Sequence, residues 1–187
     1  FNTKTNKIVK TLLNIPGQPI PINAILVGPD EKVWTGGYLA GGHAVYDPRT
    51  GVTTKHLGLE QTEGMTGHND NIYFGIYPKG QFYQYNTKAT WDLKNHNPKK
   101  VAQIPEQSRS FAVLSVPEEG KLFFGMIPEY GKLGGAFVTY HELKDEIKHT
   151  VLIKDHGITS LIYANKMVLG GTTISGGLGI KPTQKEA

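Results

Sequence analysis

The stretch FAVLSVPEEGKLFFG, residues 111–125, decides the fold class. Two short apolar runs lie on either side of a polar turn that contains proline and glycine. Runs of this length that are rich in Val, Leu and Phe are typical of β-strands, and two such runs around a tight turn indicate a β-hairpin. The sequence therefore predicts an antiparallel hairpin here, whose second strand ends at Gly125.

The same plan occurs three more times along the chain. The copies are AILVGPDEKVWTGG at 24–37, GMTGHNDNIYFG at 64–75 and ITSLIYANKMVLGG at 158–171. The second run of each copy ends in a glycine, and these glycines are Gly36, Gly75, Gly125 and Gly170. We expect each glycine either to adopt a positive φ or to lie where a neighbouring strand comes too close for a Cβ atom.

Two further strands follow each of the first three hairpins. The predicted third strands lie within 44–51, 82–88 and 137–141, and the predicted fourth strands within 53–57, 100–104 and 147–153. Four strands in about 40–50 residues is the repeat of a β-propeller blade. The sequence thus predicts an all-β chain of four-stranded antiparallel blades. The expected blades are 22–60, 63–105 and 110–154, with partial blades at 1–17 and 157–187.

The two ends of the chain suggest how the partial blades relate. Residues 1–7 align with 85–88, so the chain is expected to open inside a third strand, with residues 8–15 as the fourth. Residues 1–187 would then be a single domain of three whole blades and one split between the termini, or an excised slice of a six- to eight-bladed propeller. A slice would leave an unpaired edge strand, which favours self-association.

The repeats resemble those of bacterial β-propellers of the quinoprotein-like and WD40-like kind, over essentially the whole chain. The stretch MTG at 65–67 with IYFGIYP at 72–78 is similar to repeats of secreted bacterial propellers found with polysaccharide-degrading proteins. This resemblance implies an extracellular or cell-surface protein. The WD40 dipeptide is missing, because Trp34 precedes Thr35 and Trp91-Asp92 lies in an insertion. Two Trp residues are too few for the repeated motif of quinone-dependent dehydrogenases, so the resemblance does not imply quinone chemistry.

Composition excludes several classes of function. The chain has no Cys, which excludes disulfides, thiolate zinc sites and a cysteine nucleophile. Its net charge of +4 is spread thinly, so the sequence predicts no nucleic-acid partner. No apolar run approaches the roughly 18 residues of a membrane span, so no membrane partner is expected. No phosphate-binding loop is present, and no cofactor is predicted.

Metal chemistry has two weak candidates in the sequence. His141-Glu142 begins a zinc-protease motif, but the second His is replaced by Asp145. The oxygens of residues 68–71 (HNDN) could suggest calcium, yet Asn and Asp at this repeat position are more typical of a tight turn. The sequence therefore predicts a turn at 68–71 and no metal site.

Candidate ligand-binding residues lie in the loops that a propeller gathers on one face. Tyrosines follow the repeat glycine of successive blades and offer flat apolar rings to a sugar, whereas charged and imidazole side chains offer hydrogen bonds. The alternative is that these tyrosines pack one loop against another. The candidates are Tyr38, Glu63, Tyr77, Arg109, Tyr130 and His156.

Two functions fit these residues. The first is a non-catalytic binding or scaffold module that recognises a polysaccharide or a protein partner. The second is a polysaccharide lyase or hydrolase, in which Arg109 would neutralise a uronate and His43 or His156 would act as the base. The sequence favours the first, and no catalytic residue is assigned.

Overall fold

The computed structural model describes residues 1–10, 19–39 and 42–187. These residues form fourteen β-strands and no α-helix. The strands make three four-stranded antiparallel sheets and a two-stranded hairpin, and the strands of each sheet pair in chain order. The prediction of an all-β chain built from four-stranded antiparallel units is confirmed.

The four sheets follow one another along the chain. The first contains β1 (Ile22–Val27), β2 (Val33–Gly37), β3 (His43–Asp47) and β4 (Val52–His56). The second contains β5 (Gln61–His68), β6 (Asn71–Tyr77), β7 (Gln81–Asn86) and β8 (Lys99–Gln103). The third contains β9 (Gln107–Val116), β10 (Lys121–Pro128), β11 (Phe137–His141) and β12 (Glu146–Thr150). The last contains β13 (Gly157–Ala164) and β14 (Met167–Thr173).

Strands β5 and β9 begin earlier than the sequence predicts. The sequence places Glu63 and Arg109 in loops, but the segments 61–63 and 107–110 that contain them pair with the ends of β6 and β10. A register shift, one between Thr62 and Gly64 and the other between Gly125 and Met126, interrupts each ladder. Such a bulge lets the pairing continue beyond the apolar run into polar residues. The loop prediction for these two segments is therefore wrong.

The amino-terminal segment does not form the predicted third strand. Residues 1–10 contain only an isolated bridge between Asn2 and Lys7, and Asp92 and Asn97 form an equivalent bridge in the insertion before β8. In both turns the side-chain oxygen of the first residue accepts backbone N–H groups two and three residues later. Residues 1–7 thus match 91–97, not 85–88. Of the predicted fourth strand, residues 8–10 are not a strand and residues 11–15 lie outside the described residues.

Aromatic side chains on opposite faces of the second strands join each sheet to its neighbours. Phe74 packs toward the first sheet, where its ring lies 6.3 Å from Trp34. Its chain neighbour Tyr73 points the other way and packs with the third sheet. There Phe82 stacks on Phe124 with ring centroids 4.0 Å apart. The alternation expected of a strand, with both faces covered, is confirmed for β6.

The repeat glycines lie where successive sheets approach most closely. A Cβ atom on Gly36 would come within 2.9 Å of Thr62 Cβ, and one on Gly75 within 2.7 Å of Ser110 Cβ. Neither glycine has a positive φ. Close approach of the next sheet's first strand, and not a special backbone conformation, is therefore the reason for glycine at this position.

The fourth repeat glycine is Gly171, and not Gly170 as the sequence predicts. Gly75 and Gly125 pair with the first residue after the bulge in β5 and β9, and in the last sheet the residue with that pairing is Gly171. Gly170 instead occupies the position of Phe74 and Phe124 in the earlier sheets. The sequence alignment failed because the two adjacent glycines 170 and 171 fit the repeat equally well.

The insertion between β7 and β8 packs back onto the first sheet. The Trp91 ring stacks on His56 with centroids 4.9 Å apart, and both rings also pack against Trp34, at 6.1 Å and 5.5 Å. Trp91 Nε1 donates a hydrogen bond to the Leu57 carbonyl oxygen at 3.2 Å. Trp91, from the insertion of the second sheet, thus covers the end of β4 in the first sheet.

A partly buried polar contact joins the second and third sheets at the turn between β11 and β12. Glu142, in the turn between β11 and β12, accepts hydrogen bonds from Tyr73 Oη at 2.7 Å and from Asn71 Nδ2 at 2.9 Å. His68 Nδ1 lies 2.8 Å from Ser115 Oγ, and its Nε2 lies 3.3 Å from Glu142 Oε2. Asn69 and Asp70 form a tight turn between β5 and β6, as predicted from HNDN.

Replacing Gly75 with Ala tests the close approach between sheets. The added methyl group would meet Ser110 Cβ and backbone oxygen, so we expect the free energy of unfolding to fall by about 2 kcal/mol. Denaturant unfolding measures the change. Gly171→Ala is the matched control, because its methyl group would meet the side chain of Ser160 and no neighbouring sheet. Equal effects of the two substitutions would contradict this explanation.

Replacing Phe124 with Ala tests the stacked core. The ring is 1% exposed and lies against Phe82, so its loss should lower the free energy of unfolding by about 3–5 kcal/mol. Leu143→Ala, at a side chain that is 85% exposed, should change the same denaturation midpoint very little. A small shift for Phe124→Ala would mean that the second and third sheets are not tightly packed.

Candidate functional site

Four of the six predicted binding residues form one cluster. Glu63 lies on β5, Tyr77 ends β6, Arg109 lies on β9 and Tyr130 follows β10. These positions share the edge at which first strands begin and second strands end, since Gln61 pairs with Tyr77 and Arg109 pairs with Ile127. Glu63 and Arg109 project from strands and not from the loops to which the sequence assigned them, because the bulges extend β5 and β9.

The ion pair between Glu63 and Arg109 is the centre of this cluster. Arg109 Nη1 donates to Glu63 Oε1, and the Glu63 side chain is only 2% exposed. Asn23 Nδ2 donates to Glu63 Oε2 at 3.1 Å, and Gln61 Nε2 donates to Glu63 Oε1 at 2.8 Å. Burial raises the pKa of Glu63, whereas the charge and hydrogen bond of Arg109 oppose that rise. The pair therefore fixes the guanidinium and leaves the cluster with little net charge.

Arg109 also organises the two tyrosines. Its Cζ atom lies 4.0 Å from the centroid of the Tyr77 ring, within the range of a cation–π contact. Its Nη2 donates to Tyr130 Oη at 3.4 Å, and the hydroxyl groups of Tyr77 and Tyr130 lie 3.0 Å apart. Hydrogen bonds from Tyr77 and Arg109 lower the pKa of Tyr130. The two rings are thus held by polar contacts at their tips, while half of Tyr130 stays exposed.

Three pockets follow the same edge, and the two tyrosines separate them. The first, of about 530 Å³, lies between Leu39, Leu57 and Tyr77. The second, of about 280 Å³, lies between Tyr77 and Tyr130. The third, of about 310 Å³, is bounded by Arg109 and Tyr130. An elongated ligand could therefore contact both rings and the guanidinium in succession.

The remaining two predicted residues make no side-chain hydrogen bond to the ion pair. Tyr38 follows β2, is 45% exposed, and lies close enough to Tyr77 to contribute to the raised pKa of that residue. His156 lies in the loop before β13, where its Nδ1 is 3.2 Å from Thr172 Oγ1. It faces a separate cavity between the third and fourth sheets. Tyr38 thus lies beside the cluster, whereas His156 lies outside it.

Sequence reasoning missed Gln61 and Asn23. Gln61 holds Glu63 from within the same strand and accepts the Leu39 N–H through its Oε1 at 2.8 Å. Asn23 lies within the bulge of β1, and Gln61 lies just before the bulge of β5. Polar residues at the start of a first strand are the signal that could have identified them.

His43 is buried between the first two sheets and is not available as a base at this edge. Its side chain is fully buried, its Nε2 lies 2.7 Å from Thr62 Oγ1, and its ring packs edge-on against Phe74. Burial, with a smaller effect of His56, lowers the pKa of His43 to about 4. The assignment of His43 as a candidate base is therefore wrong, and its ring is part of the core between the first two sheets.

Several solved structures are similar in fold to this chain. The extracellular domain described as belonging to a hybrid two-component system of B. thetaiotaomicron matches with a TM-score of 0.62 and 18% identity, over 82% of this chain. A domain described as WD40 repeats of RRP9 matches with a TM-score of 0.56 and 7% identity, over 78% of this chain. The β-propeller domain of Myceliophthora thermophila Swd1 matches with a TM-score of 0.53 and 11% identity, over 87% of this chain.

The fold is β-propeller-like. These likenesses show the fold alone, because each identity is below 20%. The chain spans about 20% of the bacterial domain, 42% of the RRP9 domain and 57% of the Swd1 domain. No protein-family model matches the sequence, and no curated protein matches it significantly.

In residues 1–10, 19–39 and 42–187, no group of three or more His, Asp or Glu side chains is arranged to hold a metal ion. No helix there is long and apolar enough to cross a membrane.

Stability toward acid tests the buried state of His43. The unfolded chain binds a proton on this residue near pH 6.5, whereas the folded protein does so only near pH 4. The stability that the uncharged His43 ring contributes to the folded protein is therefore present above pH 6.5. It is lost as the pH falls toward 4, by about 3 kcal/mol in total. Unfolding free energies across this window should show a shallower pH slope for His43→Gln than for the parent.

The exposed His149 provides the control for that measurement. His149→Gln should keep the parental slope, and some slope should persist in His43→Gln because burial also lowers the pKa of His56 and of His68. An unchanged slope in His43→Gln would show that His43 takes up its proton in the folded protein as readily as in the unfolded chain.

Proposed function

We propose that this chain is a non-catalytic β-propeller module that binds an extended, uncharged glycan across the edge formed by Glu63, Tyr77, Arg109 and Tyr130. The observation that carries the proposal is the row of three pockets separated by two tyrosines whose hydroxyl groups are 3.0 Å apart. Aromatic rings offer apolar faces to sugar rings, and the fixed polar groups between them offer hydrogen bonds.

The charge of the cluster supports an uncharged ligand. Arg109 donates one N–H group to Glu63, lies over Tyr77 and donates another to Tyr130. A guanidinium has five N–H donors, so it can still donate to sugar hydroxyls. Its positive charge is balanced by the Glu63 carboxylate, so an anionic sugar would gain little from it. This balance gives the alternative of a uronate lyase no support.

The proposed module has a defined extent along the chain. We assign whole blades to residues 22–60, 63–105 and 110–154, and partial blades to 1–17 and 157–187. Three four-stranded sheets and a hairpin in chain order support the blades from residue 22 onward, whereas the partial blade at 1–17 rests on the sequence repeat. Whether the complete molecule is a ring of four blades or a slice of a larger propeller is decided by the mass and shape of the protein in solution. Scattering at monomer mass would argue against self-association through edge strands.

The setting we propose is extracellular or cell-surface, in a bacterial system that handles polysaccharides. The support is the similarity in fold to an extracellular domain of B. thetaiotaomicron and the repeat resemblance of residues 65–78. A protein ligand is the other partner class to test. One propeller-like neighbour was solved in a nidogen–laminin complex, with a TM-score of 0.56 and 11% identity, over 76% of this chain and 52% of that one.

Tyr130→Ala tests glycan binding. Half of this ring is exposed, so its removal should weaken glycan affinity about tenfold and leave the melting temperature nearly unchanged. A glycan array identifies the ligand, and calorimetric titration with parent and variant measures the loss. Tyr46→Ala, at a tyrosine that is 42% exposed on β3, is the matched control and should bind like the parent.

Two outcomes would contradict the proposal. The first is an array without any glycan ligand for the folded parent protein. The second is loss of stability, and not of affinity, in Tyr130→Ala, which would show that the tyrosines only pack one loop against another. Tyr130→Phe separates the ring from its hydroxyl and should keep most of the affinity if stacking dominates.

A further inference from the structure

The extra residue of each bulge occupies the same place in every sheet. Asn23, Glu63, Phe111 and Thr159 each fall between two paired residues of a first strand and have no partner in the second strand. A bulge re-aims such a side chain relative to the rest of its strand. Asn23 and Glu63 accordingly meet each other, and Glu63 meets Arg109, beside the tyrosines. The bulge position is therefore a source of side chains for the binding edge.

In the third sheet the bulge position carries an apolar ring. Phe111 is 42% exposed and lines the third pocket of the row, together with Thr159 from the next sheet. The other three sheets have polar residues at this position, so the bulge itself does not require a phenylalanine. A ring that packs between sheets would be buried, and this one leaves much of its surface open. Packing between sheets therefore does not account for Phe111.

The third pocket is apolar, whereas the middle pocket is polar. The middle pocket, between Tyr77 and Tyr130, is lined by Lys79, Ser108 and Glu129, which suit sugar hydroxyl groups. Placing a sugar hydroxyl group against an apolar wall without a hydrogen-bond partner is unfavourable. The third pocket thus suits an apolar group better than a further sugar residue. Its apolar side chains are Phe111, Ile127, Pro128 and Leu178.

Arg109 is the polar group of the third pocket that has hydrogen-bond donors to spare. The hydroxyl group of Thr159 donates to a backbone carbonyl oxygen at 3.4 Å, and that of Thr173 accepts a backbone N–H at 3.1 Å. The guanidinium donates one N–H to Glu63 and another to Tyr130, out of five. Because its charge is balanced by Glu63, a free N–H at this place suits the carbonyl oxygen of an uncharged group.

The chain after β14 closes the third pocket. The Gly177 N–H donates to the Lys132 carbonyl oxygen at 3.2 Å, and the Gly131 N–H donates to the Leu178 carbonyl oxygen at 2.7 Å. A Cβ atom on Gly177 would collide with the Glu129 carbonyl oxygen, so glycine permits this close approach. These contacts hold Leu178 in the pocket wall while its side chain stays 69% exposed. The pocket is therefore formed in advance, with apolar surface left for a ligand to cover.

We propose that the third pocket binds an aromatic acyl group esterified to the glycan, with its ring against Phe111 and Tyr130 and its carbonyl oxygen accepting an N–H of Arg109. An apolar cavity of roughly 150 Å³ holds benzene. The third pocket, of about 310 Å³, therefore has room for a substituted ring, whereas an acetyl group would leave most of it empty. The acyl group belongs to the glycan because Tyr130 forms a wall of both the middle and the third pocket. This inference rests on the proposed glycan binding.

A small aromatic ester tests the pocket without the glycan. The probe is ethyl para-fluorobenzoate, which is uncharged and whose fluorine NMR signal reports binding. We expect saturable binding to the parent protein, at least fivefold weaker in Phe111→Ala and in Leu178→Ser. Both side chains are exposed, so both variants should melt like the parent. Tyr46→Ala, at a ring with the same 42% exposure as Phe111, is the matched control and should bind the probe like the parent.

A benzoylated glycan tests the link between the middle and third pockets. A glycan that the parent protein binds on the array is compared with its forms that carry a single benzoyl ester. The tightest of these forms should bind the parent at least tenfold more tightly than the unmodified glycan. In Phe111→Ala this gain should be lost, while the affinity for the unmodified glycan should stay close to that of the parent.

The outcomes distinguish this inference from the proposed function. Absence of saturable probe binding, equal probe binding by Phe111→Ala, or equal affinity for benzoylated and unmodified glycan would overturn the inference and leave glycan binding at the tyrosines standing. An array without any glycan ligand contradicts the proposed function instead. The probe titration then decides by itself whether the third pocket binds an aromatic ester.

Discussion

The contact between the second strand of one sheet and the first strand of the next is the constraint on which the rest of this structure depends. At Gly75 the strands come so close that a single methyl group would collide with Ser110. This spacing sets the distance between sheets and lets rings such as Phe82 and Phe124 stack at 4.0 Å. Since the contact is made by residues near the bulges, it also fixes where each sheet begins relative to its neighbour.

The cluster of Glu63, Tyr77, Arg109 and Tyr130 is a consequence of that arrangement. Glu63 and Arg109 come from first strands of adjacent sheets, and their ion pair forms because the strands are held at a fixed separation. Tyr77 ends one second strand and Tyr130 follows the equivalent strand of the next sheet, and their hydroxyl groups therefore meet beside the same ion pair. Repetition thus brings residues 46 and 53 positions apart in the chain into one polar cluster.

The sequence predicts the strands well because each hairpin consists of two apolar runs with typical turn residues between them. The bulges were not predictable, because they follow from the fit between two strands and leave polar residues such as Thr62 inside a ladder. The binding candidates at Tyr77 and Tyr130 came from their repeat position, and the structure brings them together. The sequence wrongly offers His43 as a base, because an imidazole can either act in a functional site or pack in a core. Only its contacts with Phe74 and Thr62 show that His43 belongs to the core.

The docking of Trp91 onto the first sheet has a consequence for how unfolding spreads through the molecule. In a linear array each unit is stabilised by its nearest neighbours, so units at the ends tend to open first. Trp91 gives the first sheet a second attachment to its neighbour, through rings stacked on His56 and a hydrogen bond to Leu57. The last hairpin is attached to the third sheet by hydrogen bonds, such as that from Tyr163 Oη to Glu119, and no stacked ring pair among the described residues joins the two. Amide exchange should therefore be asymmetric, slower in the first sheet than in β13 and β14, although both lie at an end of the stack.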